Sequence, residues 1–213
     1  MNETPIDLAS LETSLLLAQL VCTRMTDDVG SLLAQLRAGF VVTGQIDPPA
    51  GIGNLDPLAR RVALLRVCWG IATPRLTARR LVVLAEGLPG AHRLRLDISG
   101  MPSRAALSVP MSRVVLNALL VASDSLPRGG VIALADIGQG CALISIAGTH
   151  AAWPRALQHL MNQPGAAWAA LAEPGGLLPP LLCLIAAHAG VHLSFQPTPR
   201  TRSAPPGLLL APS

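Results

Sequence analysis

Residues 114–134 read Val-Val-Leu-Asn-Ala-Leu-Leu-Val-Ala-Ser-Asp-Ser-Leu-Pro-Arg-Gly-Gly-Val-Ile-Ala-Leu. The run opens as helix, from near Pro110 to Ser125, and Pro127-Arg128-Gly129-Gly130 then breaks it as a turn. Val131 to Ile137 follows as a strand, and the Gly-Gln-Gly turn returns the chain through a second strand, Ala142 to Ala147, as a hairpin. On the N-terminal side, His92 to Ile98 alternates with Leu94, Leu96 and Ile98 on one face, which is strand periodicity. On the C-terminal side come helices near Ala152 to Met161 and Leu178 to Ala189. Gly190 ends the second of these, and Val191 to Phe195 forms a further strand. Gln196 to Pro206, rich in Pro, Arg, Thr and Ser, is expected as a loop or tail, with Gly207-Leu-Leu-Leu-Ala returning as an edge strand. Helices covering one face of such a sheet make an α/β sandwich.

Upstream the periodicity is different. Leu8, Leu11, Leu15, Ala18, Cys22, Met25, Val29, Leu32 and Leu36 alternate steps of three and four, the a/d seam of a helix packed in a bundle. Gly44 to Pro57 breaks it, and Asp56-Pro57 supplies an N-cap and first-turn proline for a second helix whose seam is Leu58, Val62, Leu65 and Trp69. Two such helices make an antiparallel hairpin, which has too few seams to enclose a core. Two copies form a four-helix bundle, so the hairpin predicts a homodimer. A third helix, about Thr77 to Glu86 with Gly87 after it, links the hairpin to the remainder. The fold class is therefore α+β, with a helical domain over residues 5–88 and an α/β domain over residues 89–213.

Composition narrows the function classes. The chain is 51% hydrophobic and 13% charged, about half the usual charged share, so a partner chain is expected to cover part of its apolar surface. Its 16 basic residues are all arginine, as GC-rich coding produces. Net charge is +4, yet the arginines are scattered, paired only at Arg60-Arg61 and Arg79-Arg80. With no Tyr and two Phe, base-stacking platforms are scarce, which argues against nucleic acid. Cys22, Cys68, Cys141 and Cys183 lie apart in apolar runs without metal-ligand spacing, as core hydrophobes in a reducing compartment do. The N-terminus lacks the pattern of a signal peptide, and residues 177–190, with two prolines and His188, are too interrupted to span a bilayer. A cytoplasmic protein without membrane, metal or other cofactor is expected.

Two segments carry a family resemblance. Residues 23–29, Thr-Arg-Met-Thr-Asp-Asp-Val, resemble the phospho-acceptor helix of the ChpT-type histidine phosphotransferases, whose pattern is Ser-Arg-x-x-His-Asp-Leu/Val. Asp27 occupies the acceptor position, and the five histidines all lie from His92 onward. The Val114–Leu134 run is similar to the Asn-bearing helix, Gly-Gly turn and strand of the Bergerat-type ATP-binding fold of histidine kinases, with Asn117 at the position that holds Mg and phosphate. Where that fold has Asp-x-Gly for adenine, the chain has Ile146-Ala147-Gly148-Thr149, and no GxGxxG lid occurs between residues 150 and 190. The resemblance extends through Leu65-Arg66-Val-Cys-Trp-Gly-Ile and through Leu181 to Phe195. It implies a dimerising helical hairpin fused to a kinase-like domain that no longer binds nucleotide, with Asn117 a relic that caps a turn or bonds backbone. It also implies a place in two-component signalling, between a histidine kinase's receiver domain and downstream response regulators.

With the seam inside, Asp27 falls at the outermost heptad position. Arg24 and Asp28 are i, i+4 partners beside it, and Ser31 continues the face. Leu16, Leu17 and Leu20 lie off the seam below this patch. Apolar residues beside a polar patch read as a protein-docking face; alternatively they cover the chain's own second domain, and the charges form an ordinary solvated face. A carboxylate accepts phosphoryl as an acyl phosphate in receiver domains, which surround it with acidic residues holding Mg and a nearby lysine. Here there is no lysine and only Asp28 adjoins Asp27, so no catalytic residue is assigned. The reading is a pseudo-phosphotransferase homodimer that binds receiver or histidine-kinase domains. The alternatives are an active phosphotransferase of a phosphorelay and a partner-binding dimer outside phosphorelay.

Overall fold

The computed structural model describes residues 55–71, 73–102, 106–163, 165–171, 176–197 and 205–213, together with residues 18, 22, 26, 29, 30 and 33. The chain divides into two compact units, Met1–Thr73 and Pro74–Ser213.

In the first unit, residues 18, 22, 26, 29, 30 and 33 are all helical. The Thr26 hydroxyl donates to the Cys22 carbonyl one turn back, at 2.8 Å. Leu33 is 6% exposed, and a Cβ added at Gly30 would stand 4.0 Å from Val62 Cγ1. Residue 30 therefore lies beside the next helix, α1 (Leu55–Trp69). Within one chain the flank that is covered is not the seam expected from the heptads. Ala18 and Val29, both seam positions, are exposed, while Leu33, one place off the seam, is buried. The same offset holds on α1, where Leu64 and Cys68 are fully buried and seam residue Leu58 is 45% exposed. Val62, Leu65 and Trp69 are half-buried. A hairpin covers one flank of each helix, so the seam between the flanks stays partly open. Asp56 lies inside the first turn of α1, where a carboxylate suits the helix dipole, and not at the cap position expected for it.

The second unit begins earlier than residue 89. The Leu76 N–H donates to the buried Ser112 hydroxyl at 3.1 Å, and Thr77 bridges Ala106. These long-range bonds tie α2 (Ala78–Ala85) to the second unit. Thr77 caps α2 by accepting from the Arg80 N–H, and its core-facing residues are Ala78, Leu81 and Leu84, at steps of three.

A short turn leads to β1 (Leu94–Gly100), then α3 (Val109–Asp124), β2 (Gly130–Gly138) and β3 (Cys141–Ala147). Ser108 caps α3 by accepting from the Met111 N–H, and Pro110 sits in the first turn, where its missing N–H costs nothing. Helices α4 (Arg155–Asn162), α5 (Ala166–Ala170) and α6 (Leu178–His188) precede β4 (Val191–Gln196) and β5 (Gly207–Pro212). The five-stranded sheet has the order β1-β2-β3-β5-β4. β1 and β2 are parallel, joined through α3, and the other neighbours are antiparallel. The fold class is thus α+β.

One face of the sheet carries Ile132, Leu134, Ala142, Ile144, Ile146, Leu193, Leu208 and Leu210, all buried, and α3 packs across it. The Gly207 segment is a correction. It is an interior strand between β3 and β4, with Leu208 and Leu210 at 0% exposure, and not an edge. Its apolar run on both faces is what an interior strand demands. Trp153 secures the approach to it: the indole N–H donates to the Pro206 carbonyl at 2.8 Å, and the ring lies 6.0 Å from Phe195. No helix among the described residues is long and apolar enough to cross a membrane.

Candidate functional site

The proposed acceptor face, Leu16, Leu17, Leu20, Arg24, Asp27, Asp28 and Ser31, lies outside the described residues. Its described neighbours Cys22, Thr26, Val29 and Gly30 are helical, and Thr26 is bonded back to Cys22.

The kinase-like site can be followed residue by residue. Asn117 sits in the middle of α3 and is 2% exposed. Its side-chain amide donates to the Arg113 carbonyl one turn earlier, at 2.9 Å. The amide is thus engaged with its own helix. A buried amide needs such partners, since an unsatisfied one costs about 1–3 kcal/mol.

The Gly-Gly turn and the Ile146-Ala147-Gly148-Thr149 segment converge. Gly129 has φ +82°, open to glycine and strained for other residues, and a Cβ there would lie 2.8 Å from Arg93 Cβ and closer still to the Arg93 carbonyl oxygen. A Cβ on Gly148 would stand 2.5 Å from the Gly129 carbonyl oxygen. Backbone packs on backbone here, and Gly148 serves that packing. Arg93 closes the turn from outside, its guanidinium donating to the Pro127 carbonyl at 3.4 Å. The described part of residues 150–190, the expected position of a lid, holds α4, α5 and α6.

Between α4, α6 and β4 lies a cleft lined by Leu160, Met161, Cys183, Val191 and Leu193. Burial pushes the Cys183 thiol up to about 11 from 9.0. The proton is held more tightly in the folded chain than in the unfolded one. The stability this provides is complete below pH 9 and is lost as pH rises through about 11. Cys183→Ala should therefore flatten the alkaline limb of a melting-temperature-versus-pH profile. An identical alkaline limb in the variant would contradict the assignment.

Sequence reasoning passed over one surface. Helix α2 presents Val82, 39% exposed, and Val83, 59% exposed, beside exposed Arg79 and Arg80. The signal was legible in Leu81-Val82-Val83-Leu84: a helix that buries positions 78, 81 and 84 turns the two valines outward.

A solved structure of a bacterial phosphotransferase is similar at a TM-score of 0.56 and 20% identity, over 99% of this chain and 97% of the other. That likeness is one of fold. No curated protein matches the sequence. The sequence model of the histidine phosphotransferase C-terminal domain matches residues 78–201, from the start of α2 past β4 and over more than half of the chain, and the chain belongs to that family.

Proposed function

We propose that the protein is a non-catalytic histidine-phosphotransferase-like homodimer of two-component signalling that binds receiver or histidine-kinase domains. The observation that carries this reading is Asp27, a carboxylate where the acceptor pattern has an imidazole. Phosphoryl transfer to a histidine needs a ring nitrogen, and no histidine precedes His92. Aspartyl phosphorylation needs the metal-binding carboxylates and lysine of a receiver, and the chain has no lysine. Asn117, buried and bonded to Arg113, supports a domain that serves as scaffold and not as kinase.

The partly open seam supports the dimer. Val29 and Leu58 are 39% and 45% exposed, next to half-buried Val62, Leu65 and Trp69. An apolar stripe of this kind on a hairpin is completed by a second copy of itself.

The test is an affinity titration of the dimer with isolated receiver domains from the same cell, using wild type, Asp27→Ala and Leu20→Arg. Wild type is expected to bind. Asp27→Ala should change affinity little, because a carboxylate at the outermost heptad position is expected to contribute at most about 1 kcal/mol. Leu20→Arg should weaken binding at least about tenfold, by placing charge in the apolar part of the face. Failure of every receiver to bind wild type would overturn the partner assignment.

A further inference from the structure

The sheet of the second unit has two edges, and they differ. β4 is flanked by α4 and α6, and its Val191 and Leu193 are buried. β1 is the other edge, and among the described residues no strand pairs with its outer side. Leu94 and Leu96 share the core face with Ile132, yet they and Ile98 are only half-buried, while Ile132 is 1% exposed. The core is thus left open where β1 ends the sheet. The other face of the strand carries Arg95, which is exposed, and Asp97. The Asp97 carboxylate accepts from the Ser99 N–H at 3.0 Å, a bond that holds its carboxyl below the usual carboxylate range. From Leu94 to Ile98 the strand therefore reads apolar, positive, apolar, negative, apolar, with the charge changing sign about Leu96.

We infer that β1 pairs with β1 of a second copy, antiparallel about Leu96, so that the two sheets join edge to edge. The inference rests on the homodimer proposed above: so short an edge is a weak contact alone, and the hairpin dimer supplies the local concentration. A two-fold axis at Leu96 sets Leu96 against its own counterpart, Leu94 against Ile98, and Arg95 against Asp97 twice over. The apolar residues extend the core across the joint, and each opposite-charge pair is favourable. No neighbouring register does as well. A slip of one residue sets charged residues against core-facing ones, and a slip of two sets Arg95 against Arg95 or Asp97 against Asp97. Edges that resist pairing carry charge that repels a second strand; opposite charges two residues apart on one face attract an antiparallel copy instead. The register shift between Asp97 and Gly100 ends the pairing just past this run.

The experiment oxidises the full chain with diamide at micromolar protein and reads covalent dimer on a non-reducing gel, with light scattering of the same samples. Leu96→Cys should crosslink to its own counterpart well above the background that the native cysteines give in wild type, because directly opposite Cβ atoms lie about 4.5–5.5 Å apart. An equal mixture of Arg95→Cys and Asp97→Cys should crosslink at least about threefold more than Arg95→Cys alone, since two copies of position 95 meet only diagonally. Adding Arg95→Asp to the Leu96→Cys chain should cut its crosslink about fivefold by opposing like charges, and adding Asp97→Arg as well should restore it. A dimeric wild type whose Leu96→Cys and mixed variants stay at background would overturn the edge pairing and leave the homodimer standing. A monomeric wild type would overturn both. Crosslinking of Arg95→Cys to itself as readily as to Asp97→Cys would also overturn the pairing.

Discussion

Gly129→Ala is expected to cost at least about 3 kcal/mol of unfolding free energy, a drop of roughly 10 °C in melting temperature. Two penalties coincide at this position. A backbone at φ +82° is strained for any residue with a side chain, and the added Cβ would meet Arg93 at its own Cβ, 2.8 Å away, and at its carbonyl oxygen. Neither neighbour can yield cheaply, because Arg93 immediately precedes β1 and Gly129 immediately precedes β2, whose parallel pairing starts at Leu94 and Gly130. Gly165→Ala is the control. Its φ is −62° and nothing lies within 4 Å of the added Cβ, so its melt should match wild type within about 2 °C. Equal melting temperatures for wild type and Gly129→Ala would contradict the packing described for this turn.

The second large effect concerns assembly. Leu58→Arg is expected to weaken self-association at least about a hundredfold. Leu58 is 45% exposed within one chain, so the substitution should leave the protomer folded. In a two-fold dimer it introduces one charge from each copy into a single apolar seam, so the penalty is incurred twice. Light scattering at micromolar protein should show wild type at twice the 22.1 kDa chain mass and Leu58→Arg near one chain mass. A wild type that is already monomeric would remove the dimer from the account.

Much of this fold was legible because its periodicity is clean. The 92–98, 110–125, 131–137, 142–147, 178–189 and 191–195 readings fall within a few residues of β1, α3, β2, β3, α6 and β4. What local pattern could not supply was spatial order. Nothing in Gly207-Leu-Leu-Leu-Ala alone says that it enters between β3 and β4, although three leucines in a row, covering both faces, fit an interior strand better than an edge. The first unit ends at Thr73 because Leu76 and Thr77 bond to Ser112 and Ala106, contacts some thirty residues away in sequence. The heptads do not say which flank of each helix is buried inside one chain. That choice depends on the partner helix, as the burial of Leu33 and Leu64 in place of Val29 and Leu58 shows. Asn117 stood out in the sequence, while its bond to Arg113 is a geometric fact that sequence does not carry. The acceptor face around Asp27 rests on sequence pattern alone.

The central claim is that the docking surface outlived the chemistry. Its most direct test is radiolabel transfer from a phosphorylated receiver domain to the purified protein, with the affinity of the same pair measured alongside. The account predicts binding of the receiver with no label on wild type, and no label on Asp27→Ala. Label on the wild-type protein, lost in Asp27→Ala, would contradict it.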